Sequence, residues 1–505
     1  MPTPETRGDR PPSVVVVVVD CATASDFLAG NDDNPVLPFV NHLSKDSLVC
    51  ERAVSASPWT LPSHASILTG LHPWEHGVHR RGALCLSPRF QTLPSRLRSL
   101  SYASLVLSGN PILTDITGLT RDFDMAASAG AWDRWIRIFR GRRPAVVRDG
   151  LVSTHMVKEQ KLRERRAVES PRLLSRVLNR HSFLGDVPNE LARLIRLADN
   201  HDSFETAPWI ERMFRRSVHT MEARRPFMAL INLFDAHEPF PPDDSASKSL
   251  RSWIAYAKTV QDNYGWSAGE WTPSTSDLHE IRALYTWALK QVDKRIERID
   301  SVLKEEGRWE NTILVVTADH GQAFGEGGAL FHPSAAVDSL MRVPLIVRYP
   351  GREWAGRRVT AWTSHIDIAS TVLNEVGVST KLSGDGAVLS TLIDRERETP
   401  VYAFVDGGRQ TVETRYQLGL ARSGDLAVLA YYGDRKFVLD LRSHVLKMSS
   451  PDERNWQPSG RGLPESNDYP KVVGLIRLLE RQLGPMLGQQ SDPGVVDRLR
   501  GWGYA

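Results

Sequence analysis

The chain has 505 residues, and its 63 Lys and Arg residues against 60 Asp and Glu residues give a formal net charge of +3. This near balance offers no general argument for nucleic acid or membranes as partners, and three cysteines are too few, and odd in number, for a disulfide framework. A chain of this length predicts a large domain with a smaller one appended.

The first predicted element is the run Val14–Val19, which ends at Asp20. Its valines are β-branched and apolar on both faces, which is typical of a strand buried in the centre of a parallel sheet. Arg7 and Arg10 precede the run, but it is short and lacks a small-residue cleavage site, so a signal peptide is not expected. No other stretch approaches the ~20 apolar residues of a membrane span. The sequence therefore predicts a soluble, cytoplasmic protein.

The next informative stretch contains Thr60. Pro62 suits the first turn of a helix and Gly70 can end it, so Thr60 is predicted just ahead of a helix N-terminus. Backbone N–H groups and the positive end of the helix dipole favour an oxyanion there. Thr60 is therefore a candidate nucleophile, provided that something removes its proton. The alternative is that its side chain only caps the helix.

Further elements are predicted along the chain from periodicity and turn signals. Helices are expected at Val36–Ser47, Leu93–Leu100, Leu278–Lys304 and His365–Val376, and strands at Val49–Val54, Ala103–Ser108, Phe227–Phe234, Ile313–Thr317 and Val343–Arg348. From about residue 380, short strands alternate with turns (Thr399–Val405, Gln417–Arg422, Leu426–Tyr432, Lys436–Leu441) and a helix follows at Lys471–Leu483. This pattern from about residue 380 onwards predicts a small antiparallel sheet.

Residues 131–225 form a basic helical insert in this prediction. Basic residues outnumber acidic ones roughly threefold as far as Arg180, and Trp132 and Trp135 lie among them. Such a segment could be a lid or a docking surface for an anionic substrate or partner. The alternative is a set of solvated helical faces, and no nucleic-acid-binding motif is visible.

Polar residues follow two of the predicted central strands. Asp20 follows the first, and Asp319 and His320 follow the strand that ends at Thr317. In an open α/β sheet the ligand site lies beyond the carboxyl ends of the strands. Carboxylate oxygens with an imidazole predict a divalent-metal site, and a metal beside Thr60 would lower the pKa of its hydroxyl. The alternative for each aspartate is a helix N-cap.

In this order and spacing, the motifs resemble the sulfatase-like hydrolases of the alkaline phosphatase superfamily. The likeness extends over the strand ending at Asp20, Pro58–Gly77, Asn110-Pro111, Phe234–Phe240, Thr317–Gln322, Arg342–Ile346 and Ser364–Asp367. It implies an α/β fold with a mixed, largely parallel sheet flanked by helices, and a smaller C-terminal antiparallel sheet. The catalytic domain is expected at residues 1–379 and the C-terminal α+β subdomain at residues 380–505.

The resemblance also implies roles for individual residues. Asp20, Asp319 and His320 are the implied ligands of one divalent metal ion, which also binds the nucleophile Thr60. His237 matches a histidine that contacts the transferring group or protonates the leaving oxygen, and its alternative is a hydrogen-bonded structural imidazole.

Four more residues are candidates for substrate binding. His64 stands where arylsulfatases have the arginine of their nucleophile motif, and Asn110 follows a predicted strand. His332 corresponds to a histidine that follows the Asp-His-Gly turn in related enzymes. His365 begins a predicted helix, so a cap or a supporting role is its alternative.

Two departures from the arylsulfatase pattern bear on the chemistry. Thr60 replaces the cysteine or serine that is oxidised to formylglycine, and a threonine cannot yield that aldehyde, so no formylglycine is expected. Threonine nucleophiles in this superfamily resemble those of phosphodiesterases and of phosphoglycerol and phosphoethanolamine transferases. Cys21 replaces the second of two consecutive acids, and His320 replaces an amide. With fewer oxygen ligands, manganese or zinc is favoured over calcium.

The sequence therefore predicts a metal-dependent hydrolase that cleaves phosphate (mono- or diester) or sulfate esters through a covalent Thr60 intermediate. One alternative is a transferase that moves a phospho- or sulfo-type group to a small-molecule acceptor, and another is a non-catalytic anion-binding protein. The expected partner is an anionic small-molecule ester, without nucleic acid or a membrane span. The oligomeric state, including a homo-oligomer, is left open.

Overall fold

A computed structural model describes most of the chain that surrounds the predicted site. The described residues are 10–31, 34–79, 83–110, 112–128, 206–238, 240, 273–332, 335–378, 384–406, 426–441, 444–449, 474 and 476. The strand predicted at Gln417–Arg422, nearly all of the helix predicted at Lys471–Leu483 and most of the basic insert lie outside these residues. Among the helices that are described, none has the length and apolarity needed to span a membrane.

An eight-stranded sheet forms the centre of the protein. In chain order its strands are β1 (Ser13–Val19), β2 (Leu48–Val54), β3 (Ala103–Ser108), β4 (Met125–Ser128), β5 (Phe227–Leu233), β6 (Thr312–Ala318), β7 (Leu345–Arg348) and β8 (Arg358–Ser364). Across the sheet they lie in the order β8-β2-β7-β6-β1-β5-β3-β4. All neighbouring strands run parallel except β7, which is antiparallel to both β2 and β6. The predicted mixed, largely parallel sheet is confirmed.

Strand β1 lies at the centre of this sheet because it has no polar face. All six of its valines are fully buried, as expected of a strand covered on both sides. It pairs in parallel with β6 on one side and β5 on the other, so that Val19 lies opposite Ala318 and Leu233. The three carboxyl ends therefore meet at one edge of the sheet, where the residues that follow them can converge.

Helices cover the sheet and lead into the site. The longer ones are α1 (Pro38–Lys45), α2 (Thr60–Thr69), α3 (Leu93–Arg98), α4 (Thr206–Thr220), α5 (Thr275–Glu305) and α6 (His365–Glu375). Short α-helices lie at Ala24–Phe27, Pro73–His76 and Asp338–Met341, and 3-10 turns at Trp309–Asn311, Glu326–Gly328, Pro350–Arg352 and Leu389–Leu392. Gly70 ends α2 with a left-handed φ of 70°, as predicted. The helix begins at Thr60, however, two residues earlier than Pro62 suggests.

Several strands were not expected from the sequence. These are β4, β8, the last strand of the C-terminal sheet, and two short pairs (Gly30–Asn31 with Asn34–Pro35, and Ala323–Phe324 with Leu330–Phe331). Strand β8 carries polar residues at several positions and bulges between Val359 and Trp362, which obscures its period. The other segments are too short to show any periodicity, or consist of small residues. Pairing with neighbouring strands, rather than local pattern, makes these segments extended.

The C-terminal strands form a separate four-stranded antiparallel sheet, which confirms the prediction for this region. Its strands are β9 (Val401–Asp406), β10 (Leu426–Tyr432), β11 (Arg435–Asp440) and β12 (Val445–Ser449), paired in that order. One face packs around Trp74 with Phe404 and Phe437. The other face packs against Met341 and Trp362, so this sheet has an apolar core on both sides.

The chain divides into two compact units. The first comprises residues 1–129, 207–237 and 288–505, and it includes both sheets, so the C-terminal sheet does not stand apart from the larger one. The second comprises residues 130–206 and 238–287. Within the second unit, the ring of Phe240 packs edge-on against Tyr285 with 5.4 Å between the ring centres.

Candidate metal-binding active site

Two aspartates are placed side by side by the register of the central strands. Asp20 follows β1 and Asp319 follows β6, and both side chains are fully buried. Backbone hydrogen bonds hold this edge together, since Asp319 N donates to Val19 O (3.3 Å) and Asp20 N donates to Leu233 O (2.9 Å). The structure thus brings together the two carboxylates that the sequence places about 300 residues apart.

The Asp319 carboxylate is only partly satisfied by the protein. Its Oδ1 atom accepts hydrogen bonds from His320 N (2.8 Å) and Cys21 N (3.2 Å). Its Oδ2 atom makes no hydrogen bond of standard geometry within the described chain, and His320 Nε2 lies 3.6 Å away. Burial raises the pKa of Asp319 well above its usual value, and the charge of Asp20 raises it further. The pair is therefore short of positive charge.

The Asp20 carboxylate is oriented by its neighbours. Its Oδ2 atom accepts a hydrogen bond of 2.6 Å from Asn110 Nδ2, and Cys21 Sγ lies 3.3 Å from Oδ1. Burial raises the pKa of Asp20, and the hydrogen bond that Asn110 donates acts against it. Asn110 is thus an orienting residue for Asp20.

His320 directs its Nε2 atom towards Asp319 and Thr60. Its Nδ1 lies 3.0 Å from Gly321 O and donates to it, which leaves Nε2 as the acceptor atom facing Asp319. Burial lowers the pKa of His320 to about 3, so the imidazole is neutral. A neutral imidazole whose second nitrogen is fixed by a carbonyl is the usual state of a histidine metal ligand.

Gly321 is required for this turn to form. A Cβ atom built on it would lie 1.9 Å from Ser339 O, and Gly321 N donates to Leu340 O at 2.8 Å. The turn after β6 therefore packs directly on the segment that precedes β7, which fixes the direction of the His320 ring.

The Thr60 hydroxyl lies near the His320 ring, at the start of α2. Thr60 is the first residue of α2, and its Oγ1 lies 3.5 Å from His320 Nε2. Trp59, not Thr60, occupies the N-cap position, so the capping alternative for the Thr60 hydroxyl is wrong. The hydroxyl instead lies at the positive end of the helix dipole, close to the two aspartates.

His64 lies one turn further along α2 and faces inward. Its Nδ1 donates to Thr60 O at 3.0 Å, while Nε2 lies 3.5 Å from the side-chain nitrogen of Asn232. Burial lowers the pKa of His64, which keeps it neutral. The side chain replaces an arginine of the arylsulfatase motif without replacing its charge.

Two further histidines line the site beside Cys21. The His237 ring stacks on Phe234, and the His332 ring lies edge-on to His237 with 4.7 Å between ring centres. His332 also stacks on His320 at 5.0 Å, and its Nδ1 is 3.7 Å from Cys21 Sγ. Both histidines are thus brought to the site that the sequence predicts for them.

His365 occupies a different position from the other candidates. Its Nδ1 accepts a hydrogen bond from Ala56 N (3.3 Å), and its Nε2 donates to Ala318 O (2.8 Å). Burial lowers the pKa of His365 to about 3. Both ring nitrogens are engaged by backbone groups, so this side chain links the segment before Thr60 to the end of β6.

Asn232 was missed by the sequence reasoning although it lies at the centre of the site. Its Oδ1 accepts from Asn110 N at 3.1 Å, and its Nδ2 lies 3.5 Å from Asp20 Oδ2. It is fully buried within β5, a strand that is otherwise apolar. A lone amide in such a strand must find polar partners, and this was the available signal.

The set fits a divalent cation. It offers two buried carboxylates, one of them with an unsatisfied oxygen 3.6 Å from the neutral His320 imidazole, and a hydroxyl 3.5 Å from the same ring nitrogen. Ligand atoms of Asp20, Cys21 and His320 lie within 4.8 Å of one another. Mixed oxygen and nitrogen donors of this kind suit transition-metal ions.

Comparison with known proteins bears on this arrangement. Residues 179–378 match the Sulfatase family model, and residues 14–81 match that of Type I phosphodiesterase / nucleotide pyrophosphatase. The N-acetylglucosamine-6-O-sulfatase of Bacteroides thetaiotaomicron is 29% identical over 172 residues, which cover 30% of each chain. The multifunctional alkaline phosphatase superfamily protein PehA of Trinickia caryophylli is 25% identical over 173 residues, which cover 33% of this chain and 34% of that protein. The chain thus spans about a third of these relatives' length.

Among solved structures, the phosphonate monoester hydrolase of Agrobacterium radiobacter superimposes with a TM-score of 0.62. The match covers 94% of this chain and 96% of that one at 18% sequence identity, which is a likeness of fold. Residues 179–378 of the chain are therefore similar to the Sulfatase family, the fold is alkaline-phosphatase-like, and one relative is named as a member of the alkaline phosphatase superfamily.

Proposed function

We propose that this protein is a metal-dependent hydrolase of phosphate (mono- or diester) or sulfate esters, in which Thr60 is the nucleophile. The observation that carries the proposal is the position of Thr60 Oγ1. It lies 3.5 Å from His320 Nε2, at the N-terminus of α2 and beside the buried Asp20 and Asp319 pair. The helix N-terminus favours the ionised form of a hydroxyl in this place, and a cation held by the two aspartates would supply the further positive charge that ionisation needs.

Asp20, Asp319, His320 and Thr60 would hold the cation. When bound, it supplies positive charge that favours the ionised Thr60 hydroxyl and offsets the charge of the transferred group. Two carboxylates and an imidazole favour manganese or zinc over calcium, which takes more oxygen ligands. Asn110 and Asn232 orient the Asp20 carboxylate, and the Gly321 carbonyl orients His320.

The chain's own residues divide the remaining work. Thr60 Oγ1 forms a bond to phosphorus or sulfur while the ester oxygen leaves on the opposite side, and the hydroxyl proton passes to solvent. The N–H groups at the start of α2 stabilise the charge on the nucleophile and on the transferred group. His237 gives a proton to the departing oxygen and regains one from the water that releases Thr60.

The relatives support the substrate class without fixing it. Their printed names include a sulfatase acting on a sugar 6-O-sulfate and a phosphonate monoester hydrolase. Both groups are tetrahedral oxyanions carried on an ester oxygen, and the site supplies a cation and helix N–H groups to either. A small anionic ester is therefore the proposed substrate.

The test compares wild type with Thr60→Ala and Thr60→Ser. Each is purified, its metal content is measured, and each is assayed on aryl phosphate monoesters, phosphodiesters, phosphonate monoesters and sulfates. We expect wild type to hold manganese or zinc and to turn over one ester class. Thr60→Ala should lose at least ~10³-fold in kcat. Thr60→Ser keeps the hydroxyl and should retain part of the activity.

Acid quenching during turnover should trap the transferred group on Thr60, as a mass increase on the peptide that contains it. Hydrolysis that persists in Thr60→Ala would contradict the nucleophile. A metal-loaded protein that is inert toward every ester but accepts a group on Thr60 would support the transferase alternative instead.

A further inference from the structure

We propose that Cys21, His237 and His332 form a second metal subsite, selective for soft divalent cations such as Zn²⁺, and that its occupation inhibits hydrolysis. The ligand atoms of these three side chains lie within 4.8 Å of one another. Cys21 Sγ is 3.7 Å from His332 Nδ1. An ion could therefore contact all three with small side-chain rotations.

These three donors favour some ions over others. A thiolate with two imidazoles suits Zn²⁺, and hard ions such as Mg²⁺, Ca²⁺ and Mn²⁺ prefer oxygen. The neighbouring set of Asp20, Asp319 and His320 is dominated by carboxylates. The two sets therefore differ in softness, which allows a hard ion and a soft ion to be bound separately. Ligation of Cys21 releases the thiol proton to solvent.

Each ligand is fixed by its own element. Cys21 follows the end of β1, and its N–H donates to Asp319 Oδ1 at 3.2 Å. His237 N donates to Phe234 O at 3.1 Å, and its ring stacks on Phe234. Cys21 is fully buried and His237 nearly so, while His332 is only partly buried, which gives the subsite an approach from solvent.

His332 distinguishes this subsite from the first one. Cys21 Sγ also lies 3.3 Å from Asp20 Oδ1, and Asp20, Cys21 and His320 form a second group of closely spaced ligand atoms. The thiolate could therefore bind an ion held by Asp20 instead. Only the proposed subsite requires the His332 imidazole.

The inhibitory effect rests on the proposed function. There, His237 gives its proton to the leaving oxygen, and an imidazole nitrogen that binds a cation can no longer carry that proton. Binding itself does not depend on this role, so it can be measured without any substrate.

The binding test uses full-length protein loaded with one equivalent of Mn²⁺ and then titrated with Co²⁺. A thiolate bound to Co²⁺ gives a charge-transfer absorption in the near ultraviolet. We expect this band in wild type, its removal by added Zn²⁺, and its absence in Cys21→Ser. In His332→Ala the apparent affinity for Co²⁺ should fall at least ~10-fold. Cys85→Ser, which changes a half-buried thiol elsewhere, should keep the band.

Circular dichroism and thermal unfolding establish that each variant is folded, and the partly buried position of His332 makes it the safer substitution. A wild-type protein without the band would overturn the subsite. So would a band of undiminished affinity in His332→Ala, which would place the thiolate on the ion held by Asp20.

The inhibition test measures ester hydrolysis by the Mn²⁺-loaded protein as Zn²⁺ is added. With each protein's activity taken relative to its own value without Zn²⁺, half-inhibition of wild type should need less Zn²⁺ than half-inhibition of His332→Ala. Equal inhibition of both proteins would refute the inhibitory role. If no ester is hydrolysed at all, the proposed function fails while the absorption band still decides whether the subsite exists.

Discussion

At the scale of single residues, Asp235 shows how burial raises the pKa of a carboxylate whose ion-pair partner is shared with another acid. The side chain is fully buried at the end of β5, and Arg295 Nε lies 3.6 Å from its Oδ1 atom. The same guanidinium donates from Nη1 to Glu211 Oε1 at 3.0 Å. Burial raises the pKa of Asp235 from 3.8 to about 6, against the lowering effect of Arg295.

The raised pKa of Asp235 makes the free energy of unfolding depend on pH. The folded carboxyl binds its proton more tightly than the unfolded one, so its contribution is present below pH 3.8 and is lost as the pH rises through about 6. We expect Asp235→Asn to unfold at a higher temperature than wild type at pH 8. Each pKa unit is worth about 1.4 kcal/mol, so the gain in the free energy of unfolding is on the order of 2–3 kcal/mol.

Thermal unfolding in chelator, followed from pH 4 to pH 8, checks this expectation. The difference between wild type and Asp235→Asn should shrink towards pH 4, where the carboxyl is protonated in the folded protein. Glu398→Gln, at an exposed carboxyl, is the control and should change little at any pH. A variant less stable than wild type at pH 8 would mean that the ion pair with Arg295 outweighs the burial.

At the scale of secondary-structure elements, His365 joins three segments that position the site. It is the first residue of α6, and its ring bridges the backbone of Ala56, ahead of Thr60, and Ala318, ahead of Asp319. The substrate-binding role that the sequence suggests for it stays a prediction. The bridge suggests a different test of what this residue does.

We expect His365→Ala to lower both stability and kcat while leaving KM nearly unchanged. The substitution leaves two buried backbone groups without partners, at a cost of about 1–3 kcal/mol each. Steady-state kinetics on the best ester, with thermal unfolding in parallel, measures both effects. His219→Ala removes a largely exposed imidazole and serves as the control. A raised KM with unchanged thermal stability would instead indicate contact with substrate.

Local pattern was enough to predict the elements that carry the site. The β-branched, apolar sequences of β1 and β6 predict strands that are buried on both faces, as the structure has them. If two such strands are parallel neighbours, the residues that follow them lie close together. The N-terminus of α2 was misplaced by two residues, since Trp59 rather than a polar residue caps it. Asn232 was missed because its partners come from other strands. Such contacts depend on sheet order, which no local pattern contains.

At the scale of the whole molecule, the site gathers like charges that the fold alone does not neutralise. The register of β1 with β6 forces Asp20 and Asp319 together, and the pKa of Asp319 is raised first by burial and then by the Asp20 charge. Asn110, Asn232 and the backbone N–H groups supply dipoles rather than a full positive charge. A cation bound here would therefore stabilise the folded protein as well as activate it.

This linkage predicts opposite effects of one substitution with and without metal. Asp319→Asn removes one of the two like charges, so in chelator at pH 8 we expect it to raise the thermal unfolding midpoint, with a gain in the free energy of unfolding on the order of a few kcal/mol. Added Mn²⁺ should stabilise wild type, by about 2.7 kcal/mol at 100 times its dissociation constant, and should do little for the variant. Asp434→Asn, on an exposed hairpin, should respond to Mn²⁺ as wild type does. If Asp319→Asn instead lowered the midpoint in chelator, the carboxylate pair would be a source of stability in its own right, and the argument that it is built for a cation would fail.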